Sequence, residues 1–209
     1  MTEVTHQISA VQRRVGRRTL TQGEARTMTI SRSYGTTVED LWDACTRPER
    51  IARWFSPVSG ELRPGGRFQI EGNASGTVER CEPPRGFDAT WEYGDNTSWI
   101  EVRLSPQPGD RALLELEHIA RVEDKIWAEF GPGAVGIGWD LGFLGLARYL
   151  SNGQAFGPKK GPAWLASADG KLFVSLSGER WLDANVAAGI NPAEAEAAAE
   201  RCAAAYGGG

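Results

Sequence analysis

Apolar and polar positions follow one another along this chain in a readable order. Val4, Ile8, Val11 and Val15 recur as on one face of a helix, which predicts a helical arm within residues 1–25. Residues 26–34, RTMTISRSY, alternate and are β-prone, the pattern of a first strand. Thr36 with Glu39 three residues on reads as a capping box. The helix it opens carries Val38, Leu41, Trp42 and Cys45 on one side. Thr46, Pro48 and Glu49 open a second short helix that buries Ile51, Trp54 and Phe55. Strand signals then follow at 58–62, 66–72, 75–81, 86–93, 98–105 and 111–120. Pro64-Gly65-Gly66, Pro83-Pro84 and the stretch from Pro106 to Asp110 separate them as turns. Seven strands with two helices inserted after the first predict an antiparallel α+β domain.

Residues 123–130 read as a loop or a short helix, and a long helix follows Gly131-Pro132-Gly133. Trp139, Phe143, Leu146 and Leu150 make one stripe on it, and Leu141 and Leu144 widen that stripe. So broad an apolar face must be buried against something large, and the sheet is the element of that size. The long helix therefore completes a domain over residues 26–155. GPKKGPA at 157–163 reads as a linker. Two helices follow, over 171–188 and from the Asn191-Pro192 start onward, with an alanine-rich face of Ala195, Ala198, Cys202 and Tyr206. They lack the mass for a core of their own, so residues 156–209 are expected to pack on the domain or on a partner subunit as a homodimer contact.

Composition narrows the function classes. A net charge of −4 over 209 residues gives no general attraction to nucleic acid or to anionic membranes. No apolar run is long enough to span a bilayer, and the basic, polar N-terminus lacks the apolar centre of a signal peptide. Cys45, Cys81 and Cys202 are an odd number with no metal-ligand spacing, which argues against zinc and for a reduced, cytoplasmic setting. Cys45 and Cys81 read as small core residues. Eight tryptophans are many for this length, and aromatics dominate both cores and apolar pockets.

Candidate chemistry is sparse. By strand alternation His118 shares a face with Leu114, Leu116 and Ala120, so it points to the concave side, where it could act on a ligand carbonyl or hydroxyl. The plainer reading is a half-buried, hydrogen-bonded structural histidine. Asp140, Glu71, Glu79 and Glu92 default to surface charge. Gly65-Gly66 has no following helix or lysine and is a hairpin turn rather than a phosphate loop. No metal site and no cofactor are implied.

The segments ISRSYGTTVEDLWDACTRPERIARWF (30–55), LRPGGRF (62–68), SGTVERCEPPRGFDATW (75–91) and LELEHIA (114–120) together resemble the START-like (SRPBCC) superfamily. Within it they are similar to the group related to the activator of heat-shock-protein-90 ATPase. The last 50 or so residues resemble an extension of actinobacterial members. The resemblance implies a helix-grip (START-like, Bet v-like) fold, in which a curved antiparallel sheet wraps a long helix and leaves a deep cavity. Relatives hold lipids, sterols, polyketides or other apolar molecules there, some cyclise polyketides, and the eukaryotic namesake stimulates a chaperone ATPase. The namesake's further chaperone-binding domain has no counterpart in this chain.

On that template Trp54, Phe55, Phe68, Ile70, Trp91, His118, Trp139 and Phe143 are the candidate cavity residues. Three functions follow as expectations: non-catalytic binding of a small apolar ligand such as a lipid, polyketide or aromatic metabolite; a cyclase- or hydrolase-like reaction using His118; or a protein-interaction module, as a homodimer or a chaperone adaptor.

Overall fold

In the computed structural model, which describes residues 3–21, 23–153 and 161–207, the N-terminal segment departs first from the sequence reading. Helix α1 (Glu3–Ser9) is two turns long and buries Val4 and Ile8, but the chain then becomes strand β1 (Gln12–Leu20). The helical arm therefore stops short. Val11 and Val15 sit four apart, a spacing that fits helix and strand alike, because every even spacing also lies on one face of a strand. Val11, just before β1, and Val15 on it lie on the inward side with Arg13 between them, and Arg13 pairs in register with Ile30 of strand β2 (Gly23–Tyr34). The sheet thus has eight strands rather than seven.

Two helices follow β2, as the capping signals predict, with their caps moved by one residue. Thr37 rather than Thr36 caps α2 (Val38–Thr46), its hydroxyl accepting from the Asp40 amide. Thr36 instead donates to the Asp40 carboxylate. Thr46 does not cap α3 (Pro48–Trp54); its hydroxyl turns back to the Trp42 carbonyl, and Arg47 holds the cap position. Strands β3 (Val58–Gly60), β4 (Arg67–Ile70), β5 (Ser75–Glu82), β6 (Gly86–Tyr93), β7 (Asn96–Gln107) and β8 (Arg111–Ala120) complete an antiparallel sheet ordered β1-β2-β8-β7-β6-β5-β4-β3. A register shift between Val78 and Arg80 bends β5, which helps that half of the sheet curl. On the outer face Arg18 of β1 spans to Glu101 on β7 and Glu117 on β8, tying the added strand across the sheet.

The segment at 123–130 is helical (α4, Asp124–Phe130). Helix α5 (Gly133–Asn152) ends at Gly153, which has left-handed backbone and suits a residue without Cβ. Within the linker expected at 157–163, residues 157–160 lie outside the described residues, and Gly161–Leu165 form a short helix, α6. Helix α7 (Ala168–Ala187) packs on α1, β1 and α5, and α8 (Pro192–Gly207) packs on α4, α5 and α7. The C-terminal helices thus lie on the same body as the sheet, where the core cluster runs without a break from Met28 and Ile30 through Phe143 and Leu146 to Val174, Trp181 and Cys202.

One polar group sits inside this seam. Asp140, expected at the surface, is 1% exposed. Arg13 grips it with two nitrogens, Nε to Oδ2 at 3.0 Å and Nη2 to Oδ1 at 2.7 Å. Ser177 Oγ (2.5 Å) and Trp181 Nε1 (2.9 Å) from α7 donate to the same Oδ2. Removing one side of a buried ion pair strands the other charge. Asp140→Asn, which leaves the Arg13 guanidinium uncompensated, should lower the unfolding free energy by about 3–5 kcal/mol. Urea denaturation checks this, and a loss below about 1 kcal/mol would mean that the site is hydrated and the pair unimportant.

Candidate functional site

The two halves of the sheet are packed differently. The β1, β2 and β8 half is covered by α5 and the terminal helices. Across β4, β5, β6 and β7 lies a second, smaller cluster made by Phe68, Ile70, Val78, Ala89 and Ile100. Between the two clusters is a cavity of about 360 Å³. Its floor is the concave sheet, its roof is α2 and α3, and its side is α5.

Aromatic rings hold it open. The ring of Phe55 is nearly parallel to that of Trp139, at 12° with centroids 6.4 Å apart. Trp91 meets the same indole at 5.0 Å, and Trp54 meets Phe55 at 5.6 Å. Rings of this size brace one another and cannot collapse into the remaining space without leaving these contacts. Gly142, one turn after Trp139 on α5, leaves a gap: a Cβ there would be 3.8 Å from Phe55 and would meet no clash.

The wall is mainly apolar, and three of its donors are engaged within the protein. Among the described residues, no Asp, Glu, Lys, Arg or His lines the cavity. The indole N–H of Trp54 donates to the Ala44 carbonyl at 2.9 Å, and that of Trp139 to His118 Nδ1 at 3.0 Å. The Thr46 hydroxyl is held by Trp42. Burial pushes the Cys45 thiol up to about 12 and raises that of Cys81, so both cavity thiols stay protonated and unreactive at neutral pH. They belong to the cavity wall, half-buried, rather than to the solid core.

Of the candidates read from the sequence, Trp54, Phe55, Phe68, Ile70, Trp91, Trp139 and Phe143 all line this space. His118 does not: it points inward, but Trp139 stands between it and the cavity. Because the Trp139 N–H donates to Nδ1, the imidazole proton sits on Nε2 and donates to Ser98 Oγ at 2.9 Å. Ser98 in turn donates to the Trp91 carbonyl at 2.9 Å. The ring is 4% exposed, has both nitrogens engaged, and is held neutral by burial, which drops its pKa to about 4. That arrangement positions Trp139 and Trp91; it leaves no nitrogen free to take a substrate proton.

Wall residues that were not among the candidates include Trp42 and Phe87, an edge-to-face pair at 6.3 Å, and Gly142. Ser98 was also missed, although it is the polar exception among the inward positions shared with Ile100, Val102 and Leu104 of β7. Such an exception is the signal of a buried hydrogen-bonding partner.

A curved sheet gripping a long helix around an apolar hollow defines a helix-grip protein. The family model described as Activator of Hsp90 ATPase homolog 1-like protein matches residues 35–151, and the chain belongs to that family. CalU16 from Micromonospora echinospora is 38% identical; its solution structure aligns over 86% of this chain and 97% of its own with a TM-score of 0.71. That share exceeds the helix-grip unit from β2 to α5. The crystal structure of CalU16 covers 84% and 98% with a TM-score of 0.64. MLL2253 from Mesorhizobium loti is 26% identical over 60% of this chain and 96% of its own, with a TM-score of 0.54. No curated protein matches. Among the described residues no helix is long and apolar enough to cross a membrane.

The His118 environment has a measurable consequence. Its pKa is about 4 in the folded protein and 6.5 in an ordinary setting. The unfolded chain therefore takes up the proton first as pH falls. This group's contribution to stability is complete above pH 6.5 and is lost as pH falls toward 4, by about 3 kcal/mol in all. NMR titration of the His118 ring should show a midpoint near 4, and His118→Asn should flatten this part of the stability profile; a midpoint near 6.5 would refute the buried relay.

Proposed function

We propose that this protein binds one small, neutral, largely apolar molecule with aromatic or other flat surface in the α5 cavity, without transforming it. The observation that carries the reading is the lining itself: a pre-formed hollow, largely apolar, with no charged group among its described lining residues and with the Trp54, Trp139 and Thr46 donors engaged inside the protein. Such a wall recognises shape and offers dispersion and ring stacking, and it would leave a ligand charge unpaired and dehydrated. At about 360 Å³ the hollow is at the lower end of small-molecule sites, which favours a compact ligand over a two-chain lipid. Membership of the family, whose relatives by resemblance hold apolar molecules in this place, agrees with the reading. A carrier or sensor in the cytoplasm fits these features, and the three unpaired cysteines suit a reduced compartment.

The cyclase- or hydrolase-like alternative needs an acid or base facing the ligand. With His118 behind Trp139 and both its nitrogens engaged, that alternative loses its proposed base.

The neutral fluorophore N-phenyl-1-naphthylamine serves as a test ligand. Its emission should rise and saturate with the wild-type protein at one site per chain. Gly142→Ala, which adds a methyl in ordinary contact with Phe55, should keep binding and should gain up to about 1 kcal/mol of stability from helix propensity. Gly142→Leu, which fills the gap, should abolish binding while the protein remains folded. Undiminished binding to Gly142→Leu would sink the proposed site.

A further inference from the structure

Trp139 and Asp140 are consecutive on α5, and the two buried faces of that helix are therefore fastened by neighbouring residues. Successive side chains on a helix diverge by about 100°. Trp139, Gly142 and Phe143 fall on the face that borders the cavity. Gly136, Asp140 and Leu144 recur at four-residue spacing on the other. There the Trp181 indole lies flat on the helix backbone at Gly136, so close that a Cβ would come within 2.3 Å of the ring. One turn on, Asp140 collects two nitrogens of Arg13 from β1, the Ser177 hydroxyl and the Trp181 N–H. Arg13 is in turn fixed by the Val11 carbonyl at 3.0 Å and the Ile8 carbonyl at 3.3 Å. Every group in this clamp comes from outside the β2-to-α5 unit except Asp140 and Gly136.

We propose that Asp140 is a positioning residue for the cavity: clamped by Arg13, Ser177 and Trp181, it fixes the roll of α5 and so holds Trp139 against His118 in the cavity wall. The geometry sets the sensitivity. A helix with its side chains is about 10–12 Å across, so a roll of about 20° carries its outer atoms about 2 Å. The Trp139–His118 hydrogen bond is 3.0 Å long and does not survive such a shift. The same roll would separate Trp139 from Phe55 and Trp91, the rings that keep the hollow open. The N-terminal strand and the C-terminal helix thereby act on ligand recognition without touching the ligand. A purely structural ion pair would not behave this way, since apolar replacement of such a pair commonly preserves the fold.

The proposal rests on the reading of the cavity as a ligand site, and its test separates the two. Arg13→Met/Asp140→Leu replaces the pair by apolar groups. Ser177→Ala/Trp181→Phe keeps the ion pair and removes the two donors from α7. Two quantities are measured on the full chain: the ¹⁵N resonance of His118 Nδ1 without ligand, and the dissociation constant of N-phenyl-1-naphthylamine. Both variants should unfold cooperatively, shift the Nδ1 resonance toward that of a nitrogen without a donor, and weaken probe binding about tenfold, the weight of one aromatic contact. Folded variants with the wild-type Nδ1 resonance and wild-type probe affinity would overturn the proposal. If the wild-type protein itself fails to bind the probe, the ligand reading fails and the Nδ1 resonance alone decides the positioning role. If the charge-free pair does not fold, the Ser177→Ala/Trp181→Phe protein decides both.

Discussion

One helix cannot cover an eight-stranded sheet. Strands about 4.8 Å apart make such a sheet about 34 Å wide along its surface, whereas a helix with its side chains is about 10–12 Å across. The protein meets this mismatch differently on its two sides. On the β1 side it adds α1, α7 and α8, and the core is continuous from sheet to outer helix. On the β4-to-β7 side it offers only α2, α3 and a group of large rings. Rings that bridge a gap leave space between them, and the hollow is what remains. The cavity is thus a result of how the sheet is shared between its covers rather than of any single residue.

Several polar groups around the hollow are engaged with one another or with the backbone. Trp139, His118, Ser98 and the Trp91 carbonyl form a chain in which each hydrogen bond is made with the next member. Trp54 and Thr46 satisfy themselves on α2. Buried donors that have partners cost little and stiffen what they join. What faces the cavity is therefore mainly carbon, sulfur and ring surface. On the proposed reading, such a surface holds a molecule by shape and ring stacking.

The sequence displayed the fold more fully than the site. Capping residues, Pro-Gly-Gly and Pro-Pro breaks and the α5 stripe mark their elements because each signal is local. Strand β1 was obscured because Val11 and Val15 satisfy two periodicities, and because arginine on an inward face is read as surface. Its partner Asp140 was obscured for the complementary reason: each charge looks misplaced alone, and only their meeting 127 residues apart makes burial tolerable. The aromatic candidates from Trp54 to Phe143 come together at the cavity because large rings on inward positions have few other places to go. Trp42 and Gly142 gave less warning. A helix tryptophan beside a core leucine reads as packing, and a glycine among four others on α5 does not announce which one borders a void.

The space among Phe55, Trp91, Trp139 and the sheet is a pre-formed, largely apolar cavity. Xenon enters such cavities without needing a polar partner. A crystal structure determined under xenon pressure tests this most directly. Xenon density beside Trp139 and Gly142, with the ring positions unchanged, is the predicted result. A site filled instead by ordered water, or closed by Phe55 and Trp139 folding into it, would contradict the account.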